Sequence, residues 1–381
     1  YSFTNKYYLG LSRKDATITQ DIDFNKAGID YYVLKFYAAC RPTYGNNIPL
    51  LVNLKGIDET FITTDNGFKL FSKHYNILTP TVKTLTFKNA LQSEALSTIF
   101  LDNISLLQAS NIFDTLDDLQ IAVDFWITNQ AAAIEAYGNI NTWDVSQLTT
   151  LEGLFKDKLT FNSDISAWDV SNVTNMTETF KGARDFNQNI DNWTTTSLTK
   201  LDGTFADAIT FNQLLTNWNV SSVTDMRNTF NGATSFNQTL NTWNTSQVTR
   251  MAGMFKNATS FDQTLATFNV ENCTDWTEFL NGVTLSNSNY DTTLLGWQSQ
   301  TITSSTGPID FGNSVHTLTG LSAKKSLIDS GVSFTDGGGP SYDDAKLIFE
   351  VSNITEFDVP YHDIDTTGIL PYVYVLSLIH I

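Results

Sequence analysis

The sequence predicts a mainly β protein with short helices, in which an N-terminal β-sandwich precedes a solenoid of 25-residue coils with helical caps. Residues 1–108 alternate with period two, helical patterns flank the central region, and a tryptophan returns at a fixed interval between them. At 381 residues the chain is long enough for two or more hydrophobic cores. The recurring tryptophans are Trp143, Trp168, Trp193, Trp218 and Trp243.

Residues 1–108 are predicted to form the sandwich. Leu34, Phe36 and Ala38 occupy every second position of one run, and Leu50, Val52 and Leu54 do the same in a second run. Strands of this regularity, separated by turn sequences, indicate two antiparallel sheets packed face to face.

Several stretches of this region, among them 36–42 (Phe-Tyr-Ala-Ala-Cys-Arg-Pro) and 101–105 (Leu-Asp-Asn-Ile-Ser), resemble galactose-binding-like jelly rolls of the DUF642 type, with the first strand or two missing. The resemblance implies glycan binding, and the residues expected to supply it from one loop are Arg41, Tyr44, Asn46 and Asn47. The alternative is a well-packed turn with Arg41 in a surface ion pair. Such folds also hold structural calcium, for which Asp102 is a weak candidate.

Residues 109–137 are predicted to be a linker and an N-terminal cap helix. Thr115 and Asp118 have the spacing of a capping box. The apolar residues that follow line one helical face, which is expected to cover the first coil. They are Leu116, Leu119, Val123, Trp126 and Ile127.

Residues 138–285 are predicted to be the coils. Because apolar residues keep the same 25-residue interval, equivalent side chains of successive coils should lie over one another. Each coil is expected to contain a short strand, one helical turn at the Met176 to Phe180 spacing, and a turn at Phe-Asn-Gln. The predicted core consists of the five tryptophans with Phe180, Phe205, Phe230 and Phe255. A hydrogen-bonded ladder is predicted for the invariant threonines, Thr174, Thr199, Thr224 and Thr249.

Two passages of the repeats, 180–193 and 248–258, resemble the BspA-like DUF285 family, a member of the leucine-rich-repeat group. The resemblance covers about residues 115–337. It implies a leucine-rich-repeat-like solenoid and a place on a surface protein, since the family occurs on bacterial and protist surface proteins of mostly unassigned function.

Residues 286–337 are predicted to cap the other end with helices at 291–298 and 322–330 and a closing strand at 332–335. Residues 338–381 are predicted to be a linker and the start of a further β module. The last six residues, 376–381, match the translation of a shotgun-sequencing adapter, and a genuine apolar strand end is the alternative.

Composition narrows the function. A net charge of -18 disfavours nucleic acid as a partner, and the segment 369–381 is too short to insert in a membrane as a helix. The two cysteines, Cys40 and Cys273, are expected to be buried thiols, and the four histidines fall in no catalytic or metal-binding motif. We therefore expect no enzyme and no cofactor.

The leading hypothesis from the sequence is a non-catalytic binding or adhesion protein, extracellular or at the surface of a cell or virion. Its partners would be glycans, held by the jelly roll, or surface proteins, held by the repeats. The alternatives are a purely structural stalk and an accessory region of a larger enzyme.

Overall fold

The fold is taken from a computed structural model, which describes residues 9–12, 16–23, 30–40, 48–54, 57–63, 68–77, 82–90, 98–302 and 307–341. The chain divides into two compact units, Tyr1–Leu148 and Thr149–Ile381. Each unit is described by itself. Over the described residues the protein is mainly β with a few short helices.

The first unit contains two open, antiparallel four-stranded sheets, in the orders β1-β8-β3-β6 and β2-β7-β4-β5. Two of the eight strands, β3 and β8, are eleven residues long. The strands are β1 (Leu9–Ser12), β2 (Thr17–Asp23), β3 (Asp30–Cys40), β4 (Ile48–Leu54), β5 (Ile57–Thr63), β6 (Lys69–Ile77), β7 (Val82–Asn89) and β8 (Thr98–Gln108).

The two sheets share one hydrophobic core. Leu34 and Phe36 of one sheet and Leu50 and Val52 of the other are fully buried in the same cluster, as the alternation in the sequence predicts. Phe36 lies at the centre, with the ring of Phe71 5.5 Å away. Packing of two sheets around one core confirms the predicted sandwich.

Two helices follow the sheets, α1 (Leu116–Thr128) and α2 (Gln130–Tyr137), before a short 3-10 helix (Ile140–Thr142). The N-cap half of the predicted capping box is confirmed, since the backbone N–H of Asp118 donates to Oγ1 of Thr115 at 3.2 Å, and Oγ1 of Thr115 in turn donates to Oδ2 of Asp118 at 2.6 Å. One member of the expected apolar face is wrong, because Ile127 is 39% exposed. Ile127 is the last residue but one of α1, where the buried face of the helix ends.

In the second unit, successive 25-residue segments lie side by side. One residue of each pairs with its counterpart in the next through an isolated parallel β-bridge, in the series Thr150, Asn175, Lys200, Asp225, Arg250 and Asp275. The predicted strand of each segment is therefore reduced to a single paired residue.

The predicted helical turn of each segment is wrong. Between residues 143 and 286, all of which are described, there is no helix. Alternate N–H groups bond across to the next segment, as Glu178 does to the carbonyl of Asp202 at 2.8 Å and Phe180 to that of Thr204 at 2.8 Å. The N–H groups between them bond three residues back, as in Lys181 to Glu178. Since Glu178 has φ of 52°, the backbone leaves the right-handed helical region there.

Each segment has two residues with left-handed backbone, four positions apart, and their types alternate from one segment to the next. A Cβ placed on Gly232 would lie 2.3 Å from Oδ1 of Asp207, and one on Gly182 would lie 2.5 Å from Oδ1 of Asp157. The true structural period is therefore two segments. We call this the alternating glycine pattern. The residues at its first site are Gly153, Glu178, Gly203, Asn228, Gly253 and Glu278. Those at its second site are Asp157, Gly182, Asp207, Gly232, Asn257 and Gly282.

Aromatic columns fill the interior of the second unit. The rings of Phe180 and Phe205 are stacked with centroids 5.4 Å apart, and those of Phe205 and Phe230 are 5.6 Å apart. The indole N–H groups of buried tryptophans also form hydrogen bonds, as Nε1 of Trp218 does with the carbonyl of Ile190 at 2.9 Å. The columns combine apolar burial with a satisfied indole N–H.

Two helices and a pair of two-residue strands follow the last segment. They are α3 (Asn287–Trp297), β9 (Ile309–Asp310), α4 (Leu318–Asp329) and β10 (Phe334–Thr335), with β9 and β10 parallel. Trp297 of α3 donates from Nε1 to the carbonyl of Leu265 at 2.9 Å, which repeats the tryptophan contact of the segments before it. Both helices begin about four residues earlier than the sequence patterns indicate, α4 because Thr317 caps it.

Candidate binding surfaces

The loop predicted to bind glycan lies outside the described residues, with Arg41, Tyr44, Asn46 and Asn47. Asp102, the calcium candidate, lies in β8. Within the segments that the structure describes, no group of three or more His, Cys, Asp or Glu is arranged to hold a metal ion. The two cysteines are free and buried, as predicted.

The tryptophans of the repeats are buried in the interior of the fold. Trp168, Trp193, Trp218 and Trp243 are at most 3% exposed. Trp143, in the first unit, is equally buried, and its Nε1 donates to the carbonyl of Gly138 at 3.2 Å. None of these indole faces is available as a platform for a ligand.

The invariant threonines lie on the surface but are also occupied. Oγ1 of Thr199 donates to the carbonyl of Thr174 at 2.9 Å, and Oγ1 of Thr249 donates to that of Thr224 at 3.1 Å. Each of these two hydroxyls therefore donates to the backbone carbonyl of the threonine in the preceding segment. The bonds do not join one hydroxyl to another.

A column of asparagines forms a second polar ladder. Oδ1 of Asn212 accepts from the backbone N–H of Asn237 at 2.9 Å and from Nε2 of Gln238 at 2.9 Å. Asn187 and Asn237 make the equivalent bonds one segment away on either side. Because these uniform columns hold the segments in register, their surface is not free to vary.

One strip of the repeat surface varies in residue type. It consists of the bridge residues and the residues two positions after them, and its middle is charged. We call this strip the charged face and define it by Lys200, Asp202, Asp225, Arg227, Arg250 and Asp275.

Arginines cross-link the acids of the charged face. Nη2 of Arg227 lies 2.8 Å from Oδ2 of Asp225 and 3.0 Å from Oδ2 of Asp202, and Nη2 of Arg250 lies 2.8 Å from Oδ2 of Asp225. Burial alone would raise the pKa of Asp225, but hydrogen bonds from Arg227 and the charge of Arg250 bring it below its ordinary value. Arg250 remains 48% exposed, so the network presents an ordered guanidinium to solvent.

Side chains of β3 contact α1 in the first unit. Oη of Tyr37 donates to Oδ2 of Asp117 at 2.6 Å, and Lys35 forms an ion pair with Asp118. The hydrogen bond to Asp117 and burial raise the pKa of Tyr37 to about 12. A hydrogen bond and an ion pair therefore join β3 to α1, and the sequence motifs did not indicate either contact.

Comparison with known families matches part of the chain. Residues 125–215 and 189–297 match the model of the family described as "Mycoplasma protein of unknown function, DUF285". This match supports the resemblance of the repeats to the BspA-like family. No curated protein matches the chain.

Two solved structures are similar to part of the chain. One is described as "CBM4 structure and function", with 14% identity and a TM-score of 0.23, over 28% of this chain and 73% of that one. The other is described as the CBM22-1 xylan-binding domain of Xyn10C from Paenibacillus barcinonensis, with 12% identity and a TM-score of 0.21, over 28% and 74%. None of the helices in the described segments is long and apolar enough to cross a membrane.

Proposed function

We propose that this chain is a non-catalytic binding protein of the extracellular space or a surface. The repeats act as a leucine-rich-repeat-like solenoid that presents the charged face to a protein partner, and the first unit binds glycan. The observation that carries the protein-binding part is the charged face itself.

The charged face differs from the stacked columns of the repeats. The tryptophan, phenylalanine, threonine and asparagine columns stay constant because stacking occupies their atoms. The bridge position carries Thr, Asn, Lys, Asp, Arg and Asp in turn, although its backbone geometry is the same each time. A position released from packing is where recognition can be encoded.

The network also prepares this face for binding. Arg227 and Arg250 are held by Asp225, so less side-chain entropy is lost when a partner adds hydrogen bonds to them. Arginine is also enriched at the centres of protein interfaces, where a few residues provide most of the affinity.

The test for the charged face uses cell-surface extracts and the immobilised full chain. We expect Arg250→Glu to abolish recovery of proteins that the unaltered chain retains, and moderate salt to weaken their retention. Lys325→Glu on α4 is the matched control, since it makes the same charge change at an exposed lysine elsewhere. Equal recovery by the unaltered chain and Arg250→Glu would overturn this part of the proposal.

The glycan part has a separate test. The full chain is applied to a glycan array with calcium and again with a chelator. Binding that survives chelation assigns recognition to protein groups alone, and binding lost on chelation assigns a role to calcium. No binding under either condition removes glycan recognition from the proposal.

A structural stalk is the second candidate, and the uniform threonine and asparagine ladders favour it. Those ladders continue into the cap, where Oδ1 of Asp262 accepts from the N–H of Ser286 at 2.7 Å and from Nδ2 of Asn289 at 2.9 Å. A stalk needs no conserved partner for the charged face, so Arg250→Glu would then change no interaction.

A further inference from the structure

A cleft of about 520 Å³ lies in the first unit between β6 and the helices α1 and α2. Its volume is within the range of about 300–1,000 Å³ that is typical of small-molecule sites. Phe125, His74 and Ile121 contribute apolar surface, and Ser72, Asp124 and Asn129 contribute polar groups.

Two stacked rings form the aromatic part of the cleft. The rings of His74 and Phe125 have centroids 3.9 Å apart and planes 12° from parallel. His74 is also fixed from a second side, because its Nε2 lies 2.7 Å from Oη of the buried Tyr137. The stack covers the facing sides of the two rings, so a ligand can contact only their remaining faces and edges, and the pair loses little rotamer freedom when it does.

The aromatic pair carries no charge near neutral pH. Burial, with the nearby charge of Lys73, lowers the pKa of His74 to about 4. Lys73 is itself paired with Glu59, at 2.6 Å between Nζ and Oε1. The cleft lining thus carries one positive charge, on Lys73, and one negative charge, on Asp124.

Polar groups at the end of α1 face the same space. Oδ1 of Asn129 caps α2 by accepting from the N–H of Ala132, and this bond does not use the hydrogens of its Nδ2. Asp124, which accepts from Gln120 at 3.3 Å, adds further acceptor positions on its carboxylate. The cleft therefore offers donors and acceptors beside an apolar ring surface.

A ligand that fits must be apolar on one face and rich in hydroxyl groups at its edge. A neutral ligand suits a lining that balances Lys73 against Asp124, and the net charge of -18 disfavours anions. A sugar ring has C–H groups that pack on aromatic faces and hydroxyls that bond to carboxylate and amide groups.

We propose that the cleft between β6 and α1–α2 is a saccharide site, in which a neutral pyranose ring packs against the uncovered side of the His74–Phe125 stack and hydrogen-bonds to Asp124 and Asn129. This inference rests on the glycan part of the proposed function and assigns it to residues other than the loop of Arg41. The hydroxyls nearest Asp124 donate to it, and a ring oxygen or hydroxyl accepts from Nδ2 of Asn129.

The experiment is calorimetric titration of the full chain with neutral glycans, namely glucose, galactose, mannose and xylose oligomers. We expect Asp124→Ala and Phe125→Leu each to weaken binding about tenfold or more, the size of one lost charged hydrogen bond or ring contact. Glu135→Ala, which removes an exposed acid from α2, is the matched control and should leave the affinity unchanged. Because Asp124 is exposed, its variant reports on binding even if Phe125→Leu disturbs folding.

The outcomes separate this inference from the proposed function. Binding that is unchanged in both cleft variants overturns the cleft site and leaves glycan recognition standing elsewhere. Binding of acidic glycans with no affinity for neutral ones also overturns it. If no glycan binds the unaltered chain, both the glycan part of the proposed function and the cleft site fall.

Discussion

The alternating glycine pattern predicts that two substitutions of the same kind have different costs. Gly153 and Gly232 both have left-handed backbone, with φ of 65° and 71°. A Cβ on Gly153 meets nothing within 4 Å, whereas one on Gly232 lies 2.3 Å from Oδ1 of Asp207. Gly153→Ala therefore measures backbone strain alone, and Gly232→Ala measures strain together with a steric clash.

The magnitudes follow from these two terms. Alanine in the left-handed region costs about 1–2 kcal/mol, which is the full expected effect of Gly153→Ala. Displacing the exposed Asp207 carboxylate adds about 0.5–1.5 kcal/mol to Gly232→Ala, the cost of moving a side chain off its preferred rotamer. A unit of this size loses roughly 2–4 °C of Tm for each kcal/mol, so the two variants are separable by thermal unfolding.

A double-mutant cycle identifies the cause of the difference. Asp207→Gly removes the side chain that occupies the space, so Gly232→Ala should cost about 0.5–1.5 kcal/mol less in that background. The assay is urea denaturation of the full chain, followed by the fluorescence of the buried tryptophans. Equal costs for Gly153→Ala and Gly232→Ala, or no relief from Asp207→Gly, would refute the pattern as a packing constraint.

Three further perturbations test other contacts. Gly296→Ala should lower the unfolding midpoint although alanine favours helices, because its Cβ would lie 2.5 Å from the carbonyl oxygen of Ala266, and a raised midpoint would contradict this. Asn212→Ala removes the acceptor of the N–H of Asn237 and should cost about 1–3 kcal/mol in urea denaturation, whereas a cost near zero would show that water replaces the ladder. The unfolding free energy should fall by up to about 3 kcal/mol as the pH drops from about 6.5 to about 4, because His74 takes up its proton at a higher pH in the unfolded chain than in the folded one. If His74→Gln shows the same pH profile as the unaltered chain, His74 is not the group responsible.

Most of the stacked region was predictable because it is stabilised by the burial of aligned aromatic side chains. Aromatic residues that return every 25 positions can all be buried only if successive segments lie over one another, and the structure buries Trp193 and Phe205 in this way. The alternating glycine pattern was equally visible, in the change from Gly153 to Glu178 to Gly203, but a search at the 25-residue period passes over an alternation at twice that period.

The local backbone of each segment was not predictable from the same residues. The spacing of Met176 and Phe180 suits a helical turn, and the side chains are buried as that turn would require. Neighbouring carbonyls decide otherwise, since the N–H groups of Glu178 and Phe180 find acceptors in the next segment. A sequence pattern reports which side chains are apolar and contains no information on where each N–H finds its acceptor.

The charged face lies between these two cases. Its position in the repeat could have been found by asking which of the variable columns carries charges of both signs in successive segments. Its network could not, since Arg227 contacts Asp202 in the preceding segment and Asp225 in its own.

By itself the sequence determined the two-sheet sandwich, the 25-residue stacking and the buried thiols, because each follows from periodic burial of apolar side chains along the chain. The tertiary structure alone decided which side chains from distant parts of the chain meet. It brings His74 of β6 against Phe125 of α1, two residues about fifty positions apart with no shared motif. Contacts of that kind depend on the relative placement of two elements, which local periodicity does not specify.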